Sequence, residues 1–130
     1  MTKIKTATQK YWAKLKRKRK EADKLWQELI VKFHPICEGC LKQKSVVGHH
    51  FIRKSDSNFL RYSVNNGIGL CAKCHYRLHT QSDGEVYANI VMGRNNKWLE
   101  YIKKYRTQST KTNLAFYETH IKLLTQALNE

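Results

Sequence analysis

A chain of 130 residues holds enough sequence for one domain, and a hydrophobic content of 41% supplies only a modest core. Its 25 Lys and Arg against 10 Asp and Glu leave a formal charge of +15, which points to a polyanionic partner, nucleic acid first. No run approaches about 18 consecutive apolar residues, and the start, "MTKIKTATQKYWAKLKRKRK", is basic like a signal peptide yet lacks its apolar region. The expectation is a cytoplasmic protein that avoids membranes, in a compartment where disulfides are disfavoured.

From about residue 6 to 33, Trp12, Leu15, Ala22, Leu25, Trp26, Leu29 and Phe33 recur mostly at three- and four-residue spacings, the mark of an amphipathic helix. This helix carries most of the excess charge: residues 1–33 hold eleven bases and three acids, whereas residues 81–130 hold seven and five. Pro35, the only proline, disfavours helix at His34. Residues 44–52 and about 66–70 read as short strands around a polar loop. A helix is expected from near Ala72 through His79. Beyond "QSDG", two or three helices fill the C-terminus, one marked by Trp98, Ile102 and Tyr105 with Gly93 as a break before it. Another is marked by Leu114, Tyr117, Ile121, Leu124 and Leu128. That last apolar stripe would serve a homodimer or an intramolecular core equally. There is no internal repeat or second-domain linker. The chain therefore divides into a basic helical extension (1–34), a metal-rich centre (35–82) and C-terminal helices (83–130).

All four cysteines fall in two pairs, Cys37-x2-Cys40 and Cys71-x2-Cys74, thirty residues apart. Four unlinked thiols or two disulfides are the bland readings. Four thiolates in two such knuckles instead match a tetrahedral structural zinc site, closed to chemistry because every ligand comes from protein.

Four of the six histidines lie between residues 46 and 79. Any one alone is an ordinary imidazole. Together they form a pattern: His49 and His50 end a predicted strand, while His75 and His79 share one face of a helix. If that helix packs beside the strand, His49, His75 and His79 converge on one ion and His50 points elsewhere. Three neutral imidazoles leave coordination positions open, as a catalytic metal requires. His34 reads as a helix-end histidine and His120 as a surface one.

The order His49-His50, Asn66, His75-x3-His79 resembles the HNH, or His-Me finger, endonucleases. The interval from Asn66 to His75 and the His75-x3-His79 pair resemble the nuclease domains of DNase colicins. "LCAKCH" is similar to the zinc-knuckle HNH enzymes of phages and bacteria, and the wider stretch is weakly similar to phage lambda NinG/Rap-type recombination endonucleases. The resemblance covers residues 37 to about 93. It implies an α+β fold: a ββα-metal core with a four-cysteine zinc site, flanked by the basic helix and the C-terminal helices. It also implies a metal-dependent phosphodiester hydrolase in which His50 is the general base and Asn66 braces the loop carrying it. His49, His75 and His79 would hold a divalent ion, Mg²⁺ or Mn²⁺ with Ni²⁺ or Zn²⁺ as alternatives. The substrate would be DNA, with phage recombination or replication DNA in an infected or bacterial host cell as the setting. A non-catalytic zinc-dependent DNA-binding protein, or a nuclease acting on RNA, are the competing readings; binding alone needs no such histidine cluster.

Phosphate contacts are expected from two places. "KLKRKRK" puts Lys14, Lys16, Arg17, Lys18, Arg19 and Lys20 all round a helix rather than on one solvated side. Arg53, Lys54 and Arg61 lie in the loop between the strands, where they would clamp phosphates beside the scissile one.

Overall fold

The computed structural model describes residues 3–130. Five α-helices surround one small antiparallel sheet: α1 (Ala7–Phe33), β1 (Val47–His50), β2 (Gly67–Leu70), α2 (Ala72–Gln81), α3 (Gly84–Met92), α4 (Asn96–Tyr105) and α5 (Leu114–Leu128). The first strand is shorter than the 44–52 read from the sequence, with four residues on each side pairing, from Val47↔Leu70 to His50↔Gly67.

The helix boundaries follow local chemistry. Thr6 opens α1 with a capping box, its hydroxyl accepting from Gln9 while the Gln9 side chain accepts from the Thr6 backbone. Pro35 ends it, leaving His34 as the C-cap. Cys71 caps α2 through its sulfur, Asp83 caps α3, and Asn95 and Asn113 cap α4 and α5. Gly93 closes α3, where the sequence places a break.

Two apolar clusters form the interior. In one, Ile68 and Leu70 of β2 meet Cys37, Cys74, Val86, Ile90, Trp98 and Ile102, which packs the hairpin against α2, α3 and α4. In the other, Leu15, Ala22, Trp26, Leu29 and Ile30 of α1 meet Tyr62 and the α5 residues Tyr117 and Leu124. The stripe of α5 is thus spent within the chain, on α1, and does not remain for a second copy. Lys32 adds a bond from its ammonium to the carbonyl of Leu128, an orphan acceptor at the end of α5. His120 is half-buried against Tyr62 and Phe116 rather than on the open surface.

α1 also lies directly on the hairpin. A side chain at Gly67 would collide with Ile30, so glycine sets how closely helix and sheet approach. Periodicity alone overstates the buried face of α1, since Trp12 is 59% and Phe33 48% exposed. Both belong to the apolar pattern, but the α5 and hairpin contacts cover only the middle of the helix.

Among the described residues, two that are not glycine sit in the left-handed backbone region, Ser82 at the C-cap of α2, with φ of 46°, and Leu41. Leu41, just after the first cysteine pair, has φ of 62° and is 64% exposed. A Cβ in the left-handed region costs about 1–2 kcal/mol, and little burial opposes its removal. Leu41→Gly should therefore raise the unfolding free energy by about 0.5–1 kcal/mol. Denaturant titration of the zinc-loaded protein checks this, and an unchanged or lower midpoint would count against strain at Leu41.

Candidate active site and metal centres

The side-chain alternation of a strand decides the roles of the two adjacent histidines. Successive residues of β1 point to opposite faces. Val47 and His49 face α2, while Gly48 and His50 face α1, where Gln27 accepts from the Gly48 amide at 2.6 Å. Both rings remain at the edge of one cleft of about 500 Å³, lined also by Gln27, Arg53, Lys54, His75 and His79.

On the α2 side, His49 meets His75 and His79 with ring centroids 5.5 and 5.0 Å away, and His75 and His79 stand 4.4 Å apart across one helical turn. One ring nitrogen of each lies within 4.8 Å of the others. Burial pushes the pKa of His49 down to about 4 and lowers that of His75, with the neighbouring imidazoles acting in the same direction. These rings are therefore neutral donors near neutrality. With His79 they bring three nitrogen donors, partly open to a cleft, an arrangement that fits a divalent cation with free coordination positions.

On the α1 side, the His50 ring stacks on Trp26 at 3.8 Å with the planes 12° apart. The Trp26 indole is held in turn by its N–H bond to the Ser63 carbonyl. His50 Nε2 lies 2.8 Å from the Arg61 carbonyl oxygen, which can only accept. Nε2 therefore carries the proton and Nδ1 is the free lone pair. Burial lowers the His50 pKa to about 4, against the opposing pull of the Arg61 carbonyl, so the neutral tautomer is the resting form.

Arg61 itself is placed differently from the expectation of a phosphate clamp. Its guanidinium makes a two-pronged pair with Asp23 of α1, at 2.7 and 3.0 Å, and Tyr62 donates its hydroxyl to the same carboxylate. Only 17% of the Arg61 side chain is exposed. The pair fixes the Arg61 backbone, whose carbonyl fixes His50. Arg53 and Lys54 do border the cleft and are exposed, Arg53 in a 2.8 Å pair with Asp56. Lys14, Lys16, Arg17 and Lys20 are exposed on α1, with Lys18 and Arg19 half-buried, and none of the six lines the cleft.

Asn66 is fully buried and ties down the loop between the strands. Its amide oxygen accepts from Ile52 at 2.7 Å, and its nitrogen donates to the carbonyls of Ile52 and Leu60. The neighbouring Asn65 is exposed and offers only its carbonyl, to the Trp98 indole. A second brace, Asn58 with Thr110, holds the far side of the loop by two bonds.

The four cysteines form a separate group where β2 ends and α2 begins, with one sulfur of each within 4.8 Å of the rest. The backbone is already arranged for sulfur ligation: Gly39 and Cys74 amides point at the sulfurs of Cys37 and Cys71 at 3.3 and 3.4 Å. Gly39 has no room for a side chain, because a Cβ would press on Val86 and Cys74. Amide donors from Gln43 and Lys42 help draw the Cys40 pKa down to about 6, while burial pushes Cys37 and Cys74 up. Thiolates crowded in so dry a place need a cation, and a soft four-sulfur set fits zinc. The sheet connects to this group through Glu38, which accepts from the Gly69 amide and pairs with Arg94 at 2.7 Å. Arg94 also reaches the Gly67 carbonyl, and His34 lies beside the pair.

Asp23, Gln27 and Trp26 are site residues that pattern and spacing do not reveal. Asp23 carries the only available signal, as one of three acids set among the bases of α1.

An antiparallel hairpin followed by a helix, with imidazoles from both converging on one cleft and a cysteine cluster behind, is a ββα-metal core. Residues 37–81 match the family model described as HNH endonuclease. No curated protein and no solved structure matches the chain. Among the described residues, no helix is long and apolar enough to cross a membrane.

Proposed function

We propose that this protein is a metal-dependent DNA endonuclease in which His50 is the general base. The observation that carries the reading is the fixed tautomer of His50, with Nε2–H spent on the Arg61 carbonyl and Nδ1 left free beside three clustered imidazoles. An imidazole held rigidly by stacking and one hydrogen bond can take a proton from an attacking water without first reorienting.

His49, His75 and His79 would hold the divalent ion, which supplies Lewis-acid stabilisation of the charge that develops on the phosphate. Arg53 and Lys54, at the mouth of the cleft, bind the flanking phosphates. Asn66 keeps the Ile52 and Leu60 ends of the loop together, so that these cations and the Arg61 carbonyl keep their places relative to His50. The paired cysteines hold structural zinc, which anchors β2 and the start of α2 and so the spacing between His49 and His75.

The test is incubation of the purified protein with supercoiled and linear DNA, with and without Mg²⁺ or Mn²⁺. The expected result is metal-dependent conversion to nicked or linear forms bearing 5′-phosphate and 3′-hydroxyl ends. DNA binding without cleavage in any divalent metal would favour a binding protein, and cleavage confined to RNA would move the substrate.

A further inference from the structure

The first turns of α1 hold the most exposed aromatic ring of the helix amid its densest positive charge. Trp12 is 59% exposed, and Tyr11 stands edge-on to it at 5.4 Å with 40% exposure. The cores of the fold use α1 from Leu15 onward, so nothing within the described residues buries these rings.

The helical turn relates this end of α1 to the cleft. At 3.6 residues per turn, Lys16 and Lys20 lie within about 20° of the direction of Gln27, which lines the cleft. Trp12 lies five whole turns before Ile30, whose side chain abuts Gly48 and Gly67 of the hairpin, so Trp12 faces the same way. One side of α1 therefore runs from the cleft through the exposed Lys20 and Lys16 to an exposed indole. At ~1.5 Å per residue, Trp12 is about 22 Å along the axis from Gln27.

We propose that this side of α1 is a second nucleic-acid subsite, where Lys20 and Lys16 follow the backbone leaving the cleft and Trp12 stacks on an unpaired base of the same DNA. The proposal rests on the endonuclease reading for what occupies the cleft. A duplex offers a helix side only base edges and phosphates, because its base faces are already stacked. An indole ringed by cations matches a strand whose bases are free, and such stacking tolerates any sequence. A second copy of the chain is a poor occupant, since it would bring two molecules of formal charge +15 together at their most basic helix. The span of about 22 Å corresponds to about six nucleotides at ~3.4 Å each.

The full-length protein without added divalent metal is titrated with a fully paired duplex and with one of equal length carrying a short unpaired stretch. The wild type should prefer the second. Trp12→Ala should lower affinity for the partly unpaired DNA about tenfold and for the duplex less than twofold, and Trp12→Phe should recover most of the loss. Replacing Lys16 and Lys20 with Gln should weaken both DNAs and flatten the dependence of affinity on salt. With Mg²⁺ added, cuts should cluster about six nucleotides from the unpaired stretch. Equal losses on both DNAs from Trp12→Ala, no loss on either, or a self-association that Trp12→Ala abolishes would each overturn the proposal. Binding is read without cleavage, so a protein that binds in this way but never cuts would sink the endonuclease reading alone.

Discussion

His50→Ala should reduce DNA cleavage by about 10²–10⁴-fold, the usual contribution of a positioned general base, while DNA affinity stays within twofold. The cations proposed to bind phosphate, Lys14, Lys16, Arg17, Lys18, Arg19 and Lys20 on α1 and Arg53 and Lys54 at the cleft, are untouched by the substitution. The fold should survive as well, because Trp26 keeps its bond to Ser63 and its packing in the α1 cluster. Added imidazole should restore part of the rate by entering the space the ring leaves. His49→Ala makes the informative contrast. It removes a candidate ligand from the opposite face of the same strand, so raising the Mg²⁺ or Mn²⁺ concentration should recover activity there but not in His50→Ala. Cleavage at the wild-type rate by a purified, folded His50→Ala protein would remove His50 from the chemistry.

Cys71→Ser should unfold the hairpin and α2, whereas brief chelation should only switch activity off. The difference follows from what each metal site contributes. Binding of a structural zinc supplies about 10–16 kcal/mol, as much as or more than the about 5–15 kcal/mol by which a domain is stable at all. Cys71 also caps α2 with its sulfur, a bond the serine hydroxyl can take over, so what Cys71→Ser removes is the metal ligand and not the cap. The three imidazoles are partly open to the cleft, and an ion there should exchange freely. Chelation for minutes should therefore leave about one zinc per chain and an unchanged circular dichroism spectrum, with activity returning when Mg²⁺ or Mn²⁺ is added back. A Cys71→Ser protein that keeps both its melting temperature and its activity would exclude a stabilising metal at the cysteines.

Local features of the site are legible in the sequence because they are local. The cysteine pairs, the four-residue spacing of His75 and His79 and the helix-ending proline each act within a turn or two of chain. Period-two alternation likewise suffices to send His49 and His50 to opposite faces. What stays hidden in the sequence depends on how α1 docks. Trp26 belongs to an ordinary apolar stripe, and only the approach permitted at Gly67 turns its ring into a shelf for His50. Arg61 is one base among twenty-five until Asp23, thirty-eight residues earlier, is found beside it. The exposure of Trp12 and Phe33 has the same origin, since periodicity marks a face without saying how far along the helix its covering extends.

The pairing of His50↔Gly67 and His49↔Ile68 has a consequence for how such a site can change. Both proposed roles hang on the parity of one pleat. Inserting or deleting a single residue just before the two histidines exchanges the faces of their rings, sending one toward Trp26 and the other toward α2 in swapped order. One of the two places still receives an imidazole, but the other ring lands two residues along its new face, about 7 Å from the place it would have to fill. A doubled histidine therefore keeps one position filled after a register error, where a hairpin carrying two different residues there would keep neither. Substitution has the same limit: replacing either histidine empties one face, and the remaining ring is fixed by the strand to the other.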